Sequence, residues 1–173
     1  MVAPAEGALP LDKNGQKNAP LRLAVAADHA GYELKQLIYK DLRDSGFPAL
    51  DLGAHVPGLP DDYPDFAELV AKTMTSNRVD RAIVICGSGV GVCVALNKFP
   101  GIRAGICHDT YSARQGVEHD DMNVLCLGSR IVGVELAKLI VRAFLSSCFT
   151  GEERHVRRLA KILAIERRFV KSW

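Results

Sequence analysis

No apolar run in this 173-residue chain approaches the ~18–20 residues that a helical bilayer crossing requires, so a protein spanning the membrane in that way is not expected. Charge of one sign is also missing. Lys and Arg number 22 against 20 Asp and Glu, a net +2, too mild to point to nucleic acid as a partner. The first twenty residues, Met1 to Pro20, mix Pro, Gly, Asn and charges and lack the apolar stretch of a secretory signal. They are expected to form a flexible extension, the alternative being an arm that reaches a partner subunit. CxxC spacing is absent as well, since Cys86, Cys93, Cys107, Cys126 and Cys148 form an odd, scattered set. Without that spacing and without an export signal, reduced thiols in a cytoplasmic protein are the expectation. A chain of this length buries roughly two thirds of its unfolded surface and needs neither disulfide nor zinc as a staple.

What is present is an ordinary globular balance, 48% hydrophobic and 24% charged, which excludes wholesale disorder. Residues 21–173 are expected to form one compact domain ending in a helix. Short apolar runs alternate with helical stripes along it. Leu21 to Ala26, Ala49 to Leu52, Arg81 to Cys86, Ile102 to Cys107 and Asn123 to Leu127 read as strands. Between and after them, Leu34, Leu37, Ile38 and Leu42 mark one helix, and Phe66, Leu69, Val70 and Met74 a second. A short helix runs to Asn97, another covers Thr110 to Val117, and Val132, Leu136, Leu139, Ile140 and Ala143 stripe the next. Leu159, Ile162 and Leu163 stripe the last. This alternation predicts a three-layer, doubly wound α/β sandwich with a five-stranded parallel sheet, Rossmann-like or flavodoxin-like.

Open sheets of this kind bind ligands beyond the carboxyl ends of their strands. Those ends carry Asp28-His29, Cys86-Gly87-Ser88, His108-Asp109 and Gly128-Ser129-Arg130. Asp28 and Asp109 also suit simple helix capping. In the turn after Cys86, Gly87, Gly89 and Gly91 alternate, so backbone amides can cradle an anion. It is not a Walker A loop, because no Gly-Lys-Ser/Thr follows, and Val92 breaks the dinucleotide GxGxxG spacing. Cys86 opens this turn, where a helix N-terminus stabilises a thiolate and the neighbouring glycines are expected to expose it. A plain packing role for Cys86 is the alternative. Near the C-terminus, Arg154 and Arg158 lie four apart on one helix face with His155 between them, which suits a phosphate monoester or simply a solvated basic face.

In their order and spacing these stretches resemble the type B ribose-5-phosphate isomerases and their relatives, including galactose-6-phosphate isomerase. The resemblance runs from Leu21 to about Phe169 through Ala27-Asp28-His29-Ala30-Gly31, Asp62-Tyr63-Pro64, Cys86 to Gly91, Asn97-Lys98, Gly101 to Ala104, His119 to Asn123, Leu127 to Arg130, and Arg154-His155 with Arg158. It implies an aldose–ketose isomerase acting on a phosphorylated sugar, ribose 5-phosphate to ribulose 5-phosphate in the first instance, with no metal and no cofactor. In that scheme Cys86 moves the proton between C2 and C1. Ser88 and the amides of Gly87 through Gly91 hold the enediolate. His119, assisted by Asp28, opens the furanose. Arg130, Arg154 and Arg158, with His29 and His155, bind the phosphate, and Tyr63, Asp120 and Asn123 complete the substrate contacts. The family usually carries Asn where this chain has Asp120, and a carboxylate cannot donate a hydrogen bond as an amide does. A tetrose, tetrulose or hexose phosphate is therefore the alternative substrate. A non-catalytic phosphate- or nucleotide-binding module is the alternative of another class. Because His119 follows a helix that carries it ~15 Å from the strand ends, a homodimer or tetramer with sites shared between subunits is expected.

Overall fold

The computed structural model describes residues 21–169; the expected extension over residues 1–20 lies outside the described residues. The chain runs β1 (Leu23–Ala27), α1 (Tyr32–Asp44), β2 (Ala49–Asp51), α2 (Tyr63–Thr75), β3 (Arg81–Cys86), α3 (Val90–Leu96), β4 (Ala104–Ile106), α4 (Thr110–Asp120), β5 (Val124–Gly128), α5 (Val134–Ser146) and α6 (Glu153–Phe169). The five strands form one sheet in the order β2-β1-β3-β5-β4, and every pair is parallel. Alternate strand residues feed opposite layers, as the two-residue period of a strand requires. Leu23, Val25, Ala27, Ile83, Ile85, Leu125 and Leu127 are buried with α1, α4 and α5. Ala24, Ala26, Ala82, Val84, Val124 and Cys126 are buried with α2 and α3. The fold is thus the expected three-layer parallel α/β sandwich.

The strand order makes the site. From β1 the chain first steps outward to β2 and then back past β1 to β3, so the carboxyl ends of β1 and β3 open onto the crevice where the winding reverses. Asp28 follows β1 and Cys86 ends β3. The last two strands are exchanged relative to chain order: β5 inserts beside β3, with Cys86 opposite Gly128, and β4 is left at the edge.

Several helical stripes are narrower than the spacing suggested. Leu37, Leu69, Leu136 and Leu139 are exposed, because a helix laid on a sheet covers one stripe and its flanks face outward. In α1 the interior place next to Leu34 and Ile38 belongs instead to Lys35, which is fully buried. Helix α4 extends past the expected Val117 to Asp120, through Glu118 and His119, which carry no apolar signal. Its start is capped as anticipated, with the Asp109 carboxylate accepting from the Ser112 amide at 2.7 Å. Among the described residues of α6, His155 is the buried one; the rest of that helix lies along the surface with Ile162, Ile165 and Phe169 exposed. No helix among the described residues is long and apolar enough to cross a membrane.

Candidate active site

The predicted site residues fall into two groups at opposite ends of the sheet. At the carboxyl ends, the chain after β3 turns through Gly87, Ser88 and Gly89. Gly89 adopts φ +80°, a left-handed conformation that favours glycine, and its amide then donates to Cys86 Sγ at 3.1 Å. The Val90 amide reaches Ser88 Oγ at 3.3 Å. The loop after β5 closes over this turn: Ser129 N donates to Cys86 O at 2.8 Å and Arg130 N to Gly87 O at 3.0 Å. The Arg130 guanidinium thereby lies beside Gly87, 3.6 Å from where a Cβ would stand there. This cover overturns one expectation. Cys86 is not exposed by its glycines but is only 4% accessible.

Asp28 and His29 face the same crevice from β1. Asp28 is buried, and its Oδ1 accepts from the Gly31 amide at 2.9 Å, which fixes the tight turn into α1 without capping the helix itself. His29 is exposed, with Nδ1 and the backbone amide both directed at Asp61 Oδ1, at 2.7 and 2.9 Å. The Asp61 hydrogen bond raises the imidazole pKa above its ordinary value, and Asp28 adds to this by charge. The Tyr63 ring stands over Gly91, where a Cβ would fall within 2.9 Å of it; a side chain at position 91 would push the ring from the mouth of the crevice.

The second group lies at the amino ends of the strands, where α4 delivers His119. The imidazoles of His119 and His155 stack with centroids 4.0 Å apart, and His155 Nδ1 meets Thr150 Oγ1 at 2.7 Å. His155 is fully buried. Burial, then the neighbouring His119, lowers its pKa, and its Nε2 is buried without a hydrogen-bond partner among the described residues. Asp120 is exposed at the end of α4. Arg154 and Arg158 project from the first turns of α6, Arg154 Nε lying 2.9 Å from Glu152. Asn123 also fastens the turn after α4: its Oδ1 accepts from the Arg103 amide at 2.8 Å and its Nδ2 donates to Gly101 O at 2.8 Å, which leaves one N–H and one acceptor position of the amide uncommitted. Arg103 completes that fastening by donating to the Asp121 carbonyl at 2.6 Å.

Two residues escaped the sequence reading. Lys35 Nζ donates to Asp51 Oδ1 and Oδ2 at 2.6 and 2.8 Å and to Ala54 O at 2.8 Å. It thus anchors the strand that flanks the end of β1, where Ala27 N donates to Gly53 O at 2.6 Å. Its place three residues before Ile38, on the buried stripe, was the available signal. Asp61 gave none, since nothing local links it to His29. All five cysteines are free thiols. The Cys93 pKa is lowered to about 7, chiefly through the Cys126 thiol, while burial pushes the Cys107 thiol up to about 11. Among the described residues no three His, Cys, Asp or Glu side chains converge as a metal-binding set.

Comparison with known proteins finds relatives over most of the chain. The ribose/galactose isomerase family model matches residues 23–162. Ribose-5-phosphate isomerase B of Escherichia coli is 44% identical over 147 residues, covering 85% of this chain and 97% of that one. D-erythrulose-4-phosphate isomerase of Pectobacterium atrosepticum is 39% identical over 131 residues, covering 76% and 86%. The crystal structure of ribose-5-phosphate isomerase B from Mycoplasma genitalium with bound ribulose 5-phosphate superimposes with a TM-score of 0.80 at 41% identity, over 87% of this chain and 99% of that one.

Proposed function

Because this chain belongs to the ribose/galactose isomerase family, we propose that it interconverts ribose 5-phosphate and ribulose 5-phosphate through a 1,2-enediolate. The observation that carries the reading is the Cys86 sulfur, lodged at the winding reversal with the Gly89 amide donating to it at 3.1 Å. The Cys86 thiolate removes the C2 proton of the open-chain aldose. The electron pair moves into the C1–C2 bond as the carbonyl oxygen at C1 takes on charge and then a proton. The thiol returns its proton to C1 while the C2 hydroxyl loses its own and becomes the ketone. No net oxidation occurs. The enediolate is anionic, and amide donors fixed before the reaction stabilise it without reorganising; Ser88 and the amides from Gly87 to Gly91 fill that role.

Ribose 5-phosphate enters as a furanose. Opening it takes a proton from the C1 hydroxyl and supplies one to the ring oxygen, the work assigned to His119 with Asp28. His119 and Cys86 lie at opposite ends of the sheet, so each site is completed by a second copy of the chain. Two features support that assembly: the exposed Val90, Val94, Ile131, Leu136 and Leu139, and a groove of about 1210 Å³ between β4 and α6, lined in part by Phe99, Ile102, Met122, Ile162 and Phe169. Arg130 of one copy, with Arg154 and Arg158 of the other, then encloses the phosphate. Free thiols throughout suit a reducing cytoplasm.

The test is exchange of solvent deuterium into C2 across four-, five- and six-carbon phosphosugars. Ribose 5-phosphate should be labelled fastest. A tetrose 4-phosphate has its 4-oxygen esterified and cannot close a furanose, so preference for it, together with indifference to His119→Ala, would assign the tetrose instead. Binding of phosphosugars with no exchange into any of them would make the protein a binding module and end the isomerase reading.

A further inference from the structure

The pairing of His29 with Asp61 has no part in the proton transfers just described, yet Asp61 commits one oxygen to two donors of the same residue. We propose that Asp61 is a positioning residue that orients the His29 imidazole by its Nδ1 and backbone amide, so that Nε2–H faces and grips the phosphate of the substrate. This rests on the sugar-phosphate reading above and deepens it.

The geometry is over-determined. With the His29 amide and Nδ1 both held by Asp61 Oδ1, the ring cannot rotate without breaking a hydrogen bond, and Nε2 is the nitrogen left to meet a ligand. The shared carboxylate oxygen also favours the doubly protonated ring, in line with the raised pKa of His29. The charged groups around the imidazole are Asp61 from the loop before α2 and Asp28 on the end of β1, both favouring the cation, with Arg130 on the same edge beside Gly87. His29 is exposed and makes no described contact through Nε2, which leaves that donor for an incoming oxyanion.

The consequence runs against simple electrostatics. Asp61 is an anion beside a site for a dianion, so as a bystander its neutralisation would tighten phosphate binding. As the residue that holds His29 charged, its neutralisation must weaken it. Asn in place of Asp61 keeps an oxygen for both donors but removes the charge; Ala removes both. In the full-length protein, Asp61→Asn should raise KM for ribose 5-phosphate about five- to tenfold at pH 8 and about twofold at pH 6, where an ordinary histidine is largely protonated unaided. Asp61→Ala should raise KM at both pH values, and kcat should change little in either. In a His29→Ala background neither change should raise KM further. Titration of His29 by NMR, with competition by inorganic phosphate, gives a readout independent of turnover: Asp61→Asn should return the ring toward its ordinary pKa and weaken phosphate binding in parallel. An unchanged or lowered KM in Asp61→Asn, or a rise that persists without His29, overturns the inference while leaving the isomerase reading intact. Absence of exchange in the wild-type enzyme would strike that reading alone, because the NMR and phosphate measurements would still be decisive here.

Discussion

Two inactive variants, Cys86→Ala and His119→Ala, should restore each other when their subunits are mixed. Helix α4 has 11 residues, which at ~1.5 Å each carry the chain about 16 Å back along the sheet. His119 in its last turn therefore stands about that far from the end of β3, while a general base or acid must come within about 3 Å of the atom it serves. A single chain cannot bring both residues to one sugar. In a two-fold dimer, each hybrid molecule has one site that carries both substitutions and one that carries neither. Random exchange makes about half the dimers hybrid, and half of their sites are intact, so the mixture should recover about a quarter of wild-type activity. The assay is conversion of ribose 5-phosphate after partial denaturation and joint refolding, with exchange verified by tags on the two variants. Refolding each variant alone supplies the baseline. Verified hybrids that remain at that baseline would refute the shared site, and with it the separation of the two groups as a functional arrangement.

Three further outcomes follow from individual contacts. Cys86→Ala should lower deuterium exchange at C2 by ~10²–10⁴-fold, the usual contribution of a general base, and Cys86→Ser should be nearly as damaged because no base lies beside its hydroxyl; near-normal exchange in the alanine variant would assign Cys86 to packing. Arg158→Ala should raise KM roughly ten- to hundredfold with little change in kcat, and Arg154→Ala should do less, since Glu152 already engages Arg154 at 2.9 Å; steady-state kinetics on phosphorylated and free sugar separates these. Lys35→Met should cost about 3 kcal/mol by leaving Asp51 without its partner, and Lys35→Met with Asp51→Leu should recover most of it, which urea denaturation measures; a single variant as stable as the wild type would show the pair to be dispensable.

The β–α alternation, the Gly-rich turn at Cys86 and the arginine pair four residues apart were all visible in the sequence, because each is a local pattern of period or spacing. Local pattern also located Asp109 as a cap, which the Ser112 amide bears out. It did less well where neighbours along the chain and neighbours in space disagree. Glu118 and His119 look like a loop by composition yet continue α4, held by the fastening of the following turn through Arg103, Asp121 and Asn123. The amide of Asn123 holds the same turn through one donated and one accepted hydrogen bond.

Sequence alone determined the order and kind of the strands and helices, though not every boundary, and which chemical groups follow the strand ends, since periodicity and chain order are properties of neighbours. The tertiary structure decided the rest. Insertion of β5 between β3 and β4 brings the 128–130 loop over Cys86 and buries it, and that depends on which strands pair across the sheet. The burial of Lys35 depends on Asp51 and Ala54, sixteen and nineteen residues away. The union of His29 with Asp61 spans thirty-two residues. The division of the site into two groups follows from the antiparallel return of α4. In each case the deciding contact joins residues whose local sequence is indifferent to it, and only closure of the sheet and its helices brings them together.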